Sequence, residues 1–240
     1  MQLKQNRYLF CFLGLSYGVL RAAGPAAPDS VIQNYSAASA QQAAALDGAS
    51  MDVDIQASLP KLKKQGRLRA LRRISWLGRI TYEKLRFEGD STVKNHVIAK
   101  YLSAEAEAQA DGPTSLAVTP ANYKFKYKGQ YQCGDQDVEV FQVTPLHKQV
   151  GLFKGEIWID AQTFLRVRES GRFVKAPSIF VKKIEFVRDY EIQDGISVPH
   201  QIHSVVYTRL VGPAELTIDF RNVSLADGPK RASLVDVGEQ

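Results

Sequence analysis

From Tyr123 to the mid-220s the sequence repeats one pattern: short runs in which every second residue is apolar, divided by turn residues. Tyr123, Phe125, Tyr127 and Tyr131 alternate with Lys124, Lys126, Lys128 and Gln130, and Gly134-Asp135 then turns the chain into residues 138–144. Two further runs, 156–160 and 165–168, are parted by Asp160-Ala161-Gln162-Thr163. Ile184, Phe186, Tyr190 and Ile192 follow, then a hairpin turn at Asp194-Gly195, a long strand over 197–210, and Leu216, Ile218 and Phe220. Successive side chains of a strand point to opposite faces, so each run has one dry and one wet side. Turns this short join antiparallel neighbours, whereas parallel strands need long crossovers, so a parallel-sheet enzyme fold is disfavoured.

The preceding residues add two helices and three strands. Asp29 or Ser30 can cap a helix that ends near Leu46, with Val31, Ile32, Tyr35, Ala38 and Leu46 as its thin apolar stripe and Asp47-Gly48 as its stop. Val53, Ile55, Ala57 and Leu59 then alternate with polar neighbours. Gln65-Gly66 reads as a turn before a strand in which Leu68, Ala70 and Ile74 share a face. A third strand over 80–87 slips phase at Glu83-Lys84, the mark of a bulge. Val93, Val97, Ile98, Tyr101 and Leu102 fall on one helical face, and Asp111-Gly112-Pro113 ends that helix. Ten two-faced strands and two short helices predict a mainly β, α+β architecture. It is a single strongly curved antiparallel sheet, forming an unclosed barrel with two or three short helices packed in its mouth. No internal repeat or linker divides it, so residues 28–225 form one domain and 226–240 a loose tail.

Residues 1–27 read as a leader instead of fold. Lys4 and Arg7 precede thirteen uncharged, mostly apolar residues, 8–20, and then the small residues Ala22-Ala23-Gly24-Pro25-Ala26-Ala27. That is the order of a cleaved secretory signal peptide. Thirteen helical residues span about 20 Å, short of the roughly 30 Å of a bilayer core; a retained anchor is the alternative reading. Export places the mature chain in the periplasm. Cleavage removes Lys4, Arg7 and Arg21 and no acid, lowering the formal charge from +6 to +3. It also leaves Cys133 as the lone thiol, so no intrachain disulfide can form.

No nucleophile elbow, phosphate-binding glycine loop or Ser/His/Asp order is present, and no catalytic residue or cofactor is assigned. His200 and His203 stand three apart on a strand and so face opposite ways, which denies them a shared metal ion. Residues 61–79 hold eight bases and no acid. A solvated hairpin face is the plain reading of such a run. The functional one is contact with an anionic membrane surface or an acidic envelope partner through Lys63, Lys64, Arg67, Arg69, Arg72 and Arg73, with Trp76 beside them. An exported chain has no nucleic acid to meet. The dry strand phases gather aromatic residues, and Tyr123, Phe125, Tyr127, Phe186, Tyr190 and Phe220 are candidates for an apolar, ligand-binding concave wall. In an ordinary domain such residues fill the core. In a half-open barrel the wall exceeds what two helices cover, and acyl chains can be held there without any motif.

The strand segments 138–145, 151–160 and 184–199, together with Ile157-Trp158-Ile159-Asp160 and Thr163-Phe164-Leu165-Arg166-Val167, resemble the periplasmic lipoprotein carriers of the bacterial lipoprotein-sorting pathway, the LolA-like superfamily. The resemblance covers residues 30–225. It implies an unclosed β-barrel with a helical lid, a monomer that shelters acyl chains of a lipid or lipoprotein, and no chemistry. That superfamily also includes envelope-stress sensors. An envelope sensor or assembly module working through the basic hairpin is therefore an alternative, and an envelope hydrolase a weaker one.

Overall fold

The computed structural model describes residues 27–75, 79–110, 116–209 and 212–226. The leader up to residue 26, Trp76 and the tail from 227 lie outside the described residues. Helix α1 (Pro28–Ala45) precedes β1 (Ser50–Leu59), β2 (Lys64–Ile74) and β3 (Ile80–Gly89). A second helical stretch follows as a first turn, α2 (Ser91–Val93), a wider π turn (Lys94–Ile98) and α3 (Ala99–Ala110). Seven strands complete the chain: β4 (Tyr123–Cys133), β5 (Gln136–Pro145), β6 (Phe153–Asp160), β7 (Arg166–Phe173), β8 (Val181–Gln193), β9 (Ile196–Thr208) and β10 (Pro213–Ser224). Asp90 caps the second helical stretch, its carboxylate accepting the Thr92 N–H at 2.7 Å.

All ten strands form one antiparallel sheet in the order β3-β2-β1-β10-β9-β8-β7-β6-β5-β4. The two edges, β3 and β4, do not pair, so the barrel is unclosed as the alternation predicts. The first strand, β1, lies inside the sheet, third from the β3 edge, and the last strand, β10, comes back to pair with it. Turn positions differ from the reading above at one place. Gln65 and Gly66 lie inside β2, and the chain reverses earlier, over Pro60–Leu62, where Lys63 takes the left-handed conformation at φ 52°. Gly66 is a packing site: a side chain there would press at 3.2 Å on Phe87 and Val93. The expected bulge in β3 is present, with Lys84 at φ 53°.

Bulges steer the alternation elsewhere too. One extra residue in β4 between Tyr127 and Gly129 moves Tyr131, on the dry phase by sequence count, to the outer face, 43% exposed. Where β6 meets β7, Gly155 and Gly171 face each other so closely that a Cβ on Gly155 would lie 1.9 Å from the Ser170 carbonyl oxygen. Only glycine permits that approach, which coils the sheet tightly beneath Phe153, Phe173 and Phe186.

Candidate functional site

One row of side chains crosses the whole concave face. Phe87, Leu68, Ile55, Ile218 and Ile202 stand in register on β3, β2, β1, β10 and β9. Arg188, Glu169, Ile157, Phe141 and Tyr127 continue the row on β8, β7, β6, β5 and β4. Both wings are apolar and the middle carries an ion pair. Each wing has its own core and its own helical cover. Val93 and Ile98 pack on Met51, Val53, Ile55, Leu68, Ile218 and Phe220, and Val97, Tyr101 and Leu102 lie against the same cluster. Val31 and Tyr35 of α1 pack on Tyr123, Phe141, Phe153, Ile157 and Phe186, with Phe125 and Tyr127 at that cluster's margin.

A polar seam separates the two wings. The Glu169 carboxylate is 1% exposed and lies 3.3 Å from the Arg166 guanidinium and 3.4 Å from that of Arg188, while the Tyr190 hydroxyl donates to it at 3.0 Å. Burial acts to raise its pKa. The two guanidinium groups and the Tyr190 hydrogen bond outweigh burial and hold the carboxyl below the usual glutamate range. Burial, followed by the nearby Glu169 charge, pushes Tyr190 up to about 12. Arg166 stacks over the Tyr190 ring at 4.5 Å and Arg188 over Phe186 at 4.5 Å, so both cations rest on aromatic faces. Tyr101 of α3 is also raised by burial and feels both Glu105 and Arg188, which joins the seam to the second helical stretch.

There the helix is latched to the sheet. Arg72 pairs with Glu105 of α3 at 3.1 Å, and the Tyr82 hydroxyl donates to the other oxygen of that carboxylate. Arg72 is 8% exposed, and its guanidinium also lies 3.6 Å from the Met51 sulfur. Helix α1 is tied differently: the Gln42 side chain accepts the Ser197 N–H at 2.6 Å and donates to the Gly195 carbonyl at 3.3 Å.

The structure puts the six aromatic candidates on the concave face and divides them between its parts. Phe220 belongs to the β1–β2–β10 core, Tyr190 to the polar seam, and Tyr123, Phe125, Tyr127 and Phe186 to the core beneath α1. Tyr127 donates to Glu139 at 2.7 Å and, chiefly through burial, is raised to about 12. Among the basic candidates, Arg67, Arg69 and Arg73 share the convex face of β2, each ion-paired and still more than a third exposed. Arg72 points inward, since it shares the phase of Leu68 and Ala70. Arg67 makes a two-pronged pair with Asp54, Arg69 pairs with Glu88 at 3.1 Å, Arg73 with Glu83 at 3.0 Å, and Lys64 with Asp90 at 3.3 Å. The hydrogen bond from Arg67 is the main cause that holds Asp54 below the ordinary aspartate range. A sequence run without acids is thus matched by acids on the adjoining strands. Lys63 sits exposed on the β1–β2 turn. A 560 Å³ cleft on the convex face sets Asp52, Asp54 and Asp219 among Arg67, Arg69, Lys84, Arg86 and Arg221.

Glu169, Arg166 and Arg188 were not singled out from sequence. Arg188 has the parity of Ile184, Phe186 and Tyr190 and was legible as inward. Arg166 and Glu169, three apart, reach one face only because an extra residue at Val167 breaks the β6–β7 register. His200 and His203 have separate partners, Glu191 and Thr217, and no group of three metal-ligating side chains occurs among the described residues.

These features define an open, helix-covered antiparallel half-barrel. The chain is similar to a LolA superfamily protein from Nitrosomonas europaea, at 12% identity over 84% of this chain and 94% of that one, with a TM-score of 0.40. It is similar also to a DUF1329 family protein from Desulfovibrio piger (14% identity, 83% and 94% covered, TM-score 0.40). A third similar structure is a putative outer membrane lipoprotein-sorting protein domain from Vibrio parahaemolyticus (13% identity, 84% and 93% covered, TM-score 0.38). No family model and no curated protein matches the chain.

Proposed function

We propose that the chain is an exported envelope protein that binds acyl chains of a lipid or lipoprotein on its concave face and carries out no chemical step. The observation that carries this reading is the imbalance between the two sides of the cover. Two apolar wings, parted by the Glu169 seam, are each closed by few apolar side chains from one helical stretch, and polar latches supply the rest of the hold. Five partly or fully buried side chains of the second stretch contribute about 2 kcal/mol each, roughly 10 kcal/mol together. An acyl chain of a dozen methylenes, at about 0.8 kcal/mol per CH₂, offers the same face about as much. Helix and ligand are therefore near-equal competitors for one surface, the condition for reversible loading. Phe87 on edge strand β3, at the margin of the core that the second stretch covers, is the first wall residue such a chain meets there, and Phe125 and Tyr127 on edge strand β4 hold the same place in the wing under α1.

Native mass spectrometry of gently purified protein, followed by titration of the delipidated protein with a photoreactive long-chain acyl probe, tests this. Bound lipid and probe crosslinks near Phe87 on β3, or near Phe125 and Tyr127 on β4, are the expected result. A delipidated chain that takes up no probe, even when the latch is weakened by Glu105→Gln, overturns it. The alternative, an envelope sensor or assembly module working through the basic hairpin, loses Arg72 to the helix latch and keeps Lys63, Arg67, Arg69 and Arg73 at the surface.

A further inference from the structure

Seven large apolar side chains are markedly exposed among the described residues, and five of them cluster at one end of the sheet. Leu62 is on the β1–β2 turn, Leu146 and Val150 on the β5–β6 loop, and Ile179 and Phe180 on the β7–β8 loop. These connections are neighbours in space. The Lys61 stem packs over Gly212 of the β9–β10 loop, Arg209 of that loop donates to the Ile179 and Phe180 carbonyls, and the Val174 N–H donates to the Leu152 carbonyl. Charge divides the same way. Residues 60–63, 146–152, 174–180 and 209–212 contain Lys61, Lys63, Lys148, Lys175 and Arg209 and no Asp or Glu, and the β3–α2 connection at the same end adds Asp90, which is paired with Lys64 at 3.3 Å. The described turns at the other end carry Asp47, Asp135 and Asp194 against one base, Arg79.

We propose that this rim is a docking surface for an anionic phospholipid bilayer, with Leu62, Ile179 and Phe180 entering the interface and the basic residues meeting the headgroups. The geometry favours a membrane over a protein. The apolar tips sit on separate loops spread along about 30 Å of sheet edge at strand spacing, and a planar partner meets them together, whereas a peptide needs a groove. Cations beside short apolar tips are the combination that anionic interfaces attract. The inference stands apart from acyl binding on the concave face, and either can fail alone.

The test uses the full chain and vesicles of phosphatidylcholine with one-quarter phosphatidylglycerol, carrying brominated acyl chains. Phe180→Trp on the rim and Leu85→Trp, an equally exposed site on edge strand β3, report which surface enters the bilayer, each read as the difference from the parent chain with its own Trp76 and Trp158. The expected result is quenching of the Phe180→Trp signal and none of the Leu85→Trp signal. Lys61→Glu with Lys175→Glu weakens vesicle binding by about fivefold for each charge lost, or more, and high salt does the same. Ile179→Ser with Phe180→Ser lowers it further while the circular dichroism stays that of the parent. Equal quenching at both positions, quenching at neither, or binding that ignores the phosphatidylglycerol content and the charge reversals overturns the proposal. So does an acidic protein partner that occupies the rim when vesicles do not bind.

Discussion

Glu169 lies at the centre of the sheet with its carboxylate almost wholly enclosed, between two guanidinium groups that each keep about a third of their surface in water. Its folded-state pKa is lower than its unfolded one. The stabilisation it contributes is complete at pH values above the ordinary carboxylate range and is lost as the pH falls through the lowered folded value. Asp54, held down by Arg67, acts in the same sense at the convex surface. Glu169→Gln leaves Arg166 and Arg188 facing each other without a counter-charge. We expect a cost of about 3 kcal/mol at neutral pH, the low end for a broken buried pair because both arginines reach solvent. Urea unfolding at pH 7 and at pH 4 measures this: the wild type loses stability between the two, and the variant loses less.

At the scale of elements, the second helical stretch has the most to reveal. Its α-helical hydrogen bonding is interrupted by the π turn Lys94–Ile98, directly between the anchors Val93 and Ile98. Its far end is held by the Glu105 latch to Arg72 and Tyr82. Glu105→Gln removes the charge that balances a buried arginine, so local opening becomes easier without loss of the sheet. Amide exchange over Ala99 to Glu105 is expected to speed up about tenfold or more, with β1 and β10 unchanged. Equal acceleration in the sheet would mean that the helix and sheet open as one unit and that no separate lid exists.

For the whole molecule, acyl binding and helix closure compete for one apolar wall, so their effects on stability diverge. A ligand present at a hundred times its Kd adds about 2.7 kcal/mol of global stability. The same ligand, by displacing a cover, lowers amide protection in α1 or α3. A rise in Tm with the acyl probe, together with faster exchange in one helix, is the expected pair. A rise in Tm with uniformly slower exchange would place the ligand outside the concave face.

Much of this molecule was legible because strand alternation is local. The seven-strand run, the helix from Pro28 to Ala45, the bulge at Lys84 and the inward phase of Phe186 and Tyr190 follow from two-residue and 3.6-residue periods read along the chain. What escaped that reading depends on neighbours. Tyr131 changes sides because of one residue inserted upstream, where Gly129 at φ 137° is its one marker in sequence, and Arg166 joins Glu169 because of one inserted at Val167, which has none. The basic run at 61–79 looked unbalanced because charge was counted along the chain, while its counter-charges Asp54, Glu83, Glu88 and Glu105 come from adjoining strands and a helix. The sequence by itself therefore determined a two-faced antiparallel sheet with too few helices to bury it. Only the tertiary structure decided which charges are paired, which side chains share the concave face and which loops form one rim, because register and packing bring together residues that no local period relates.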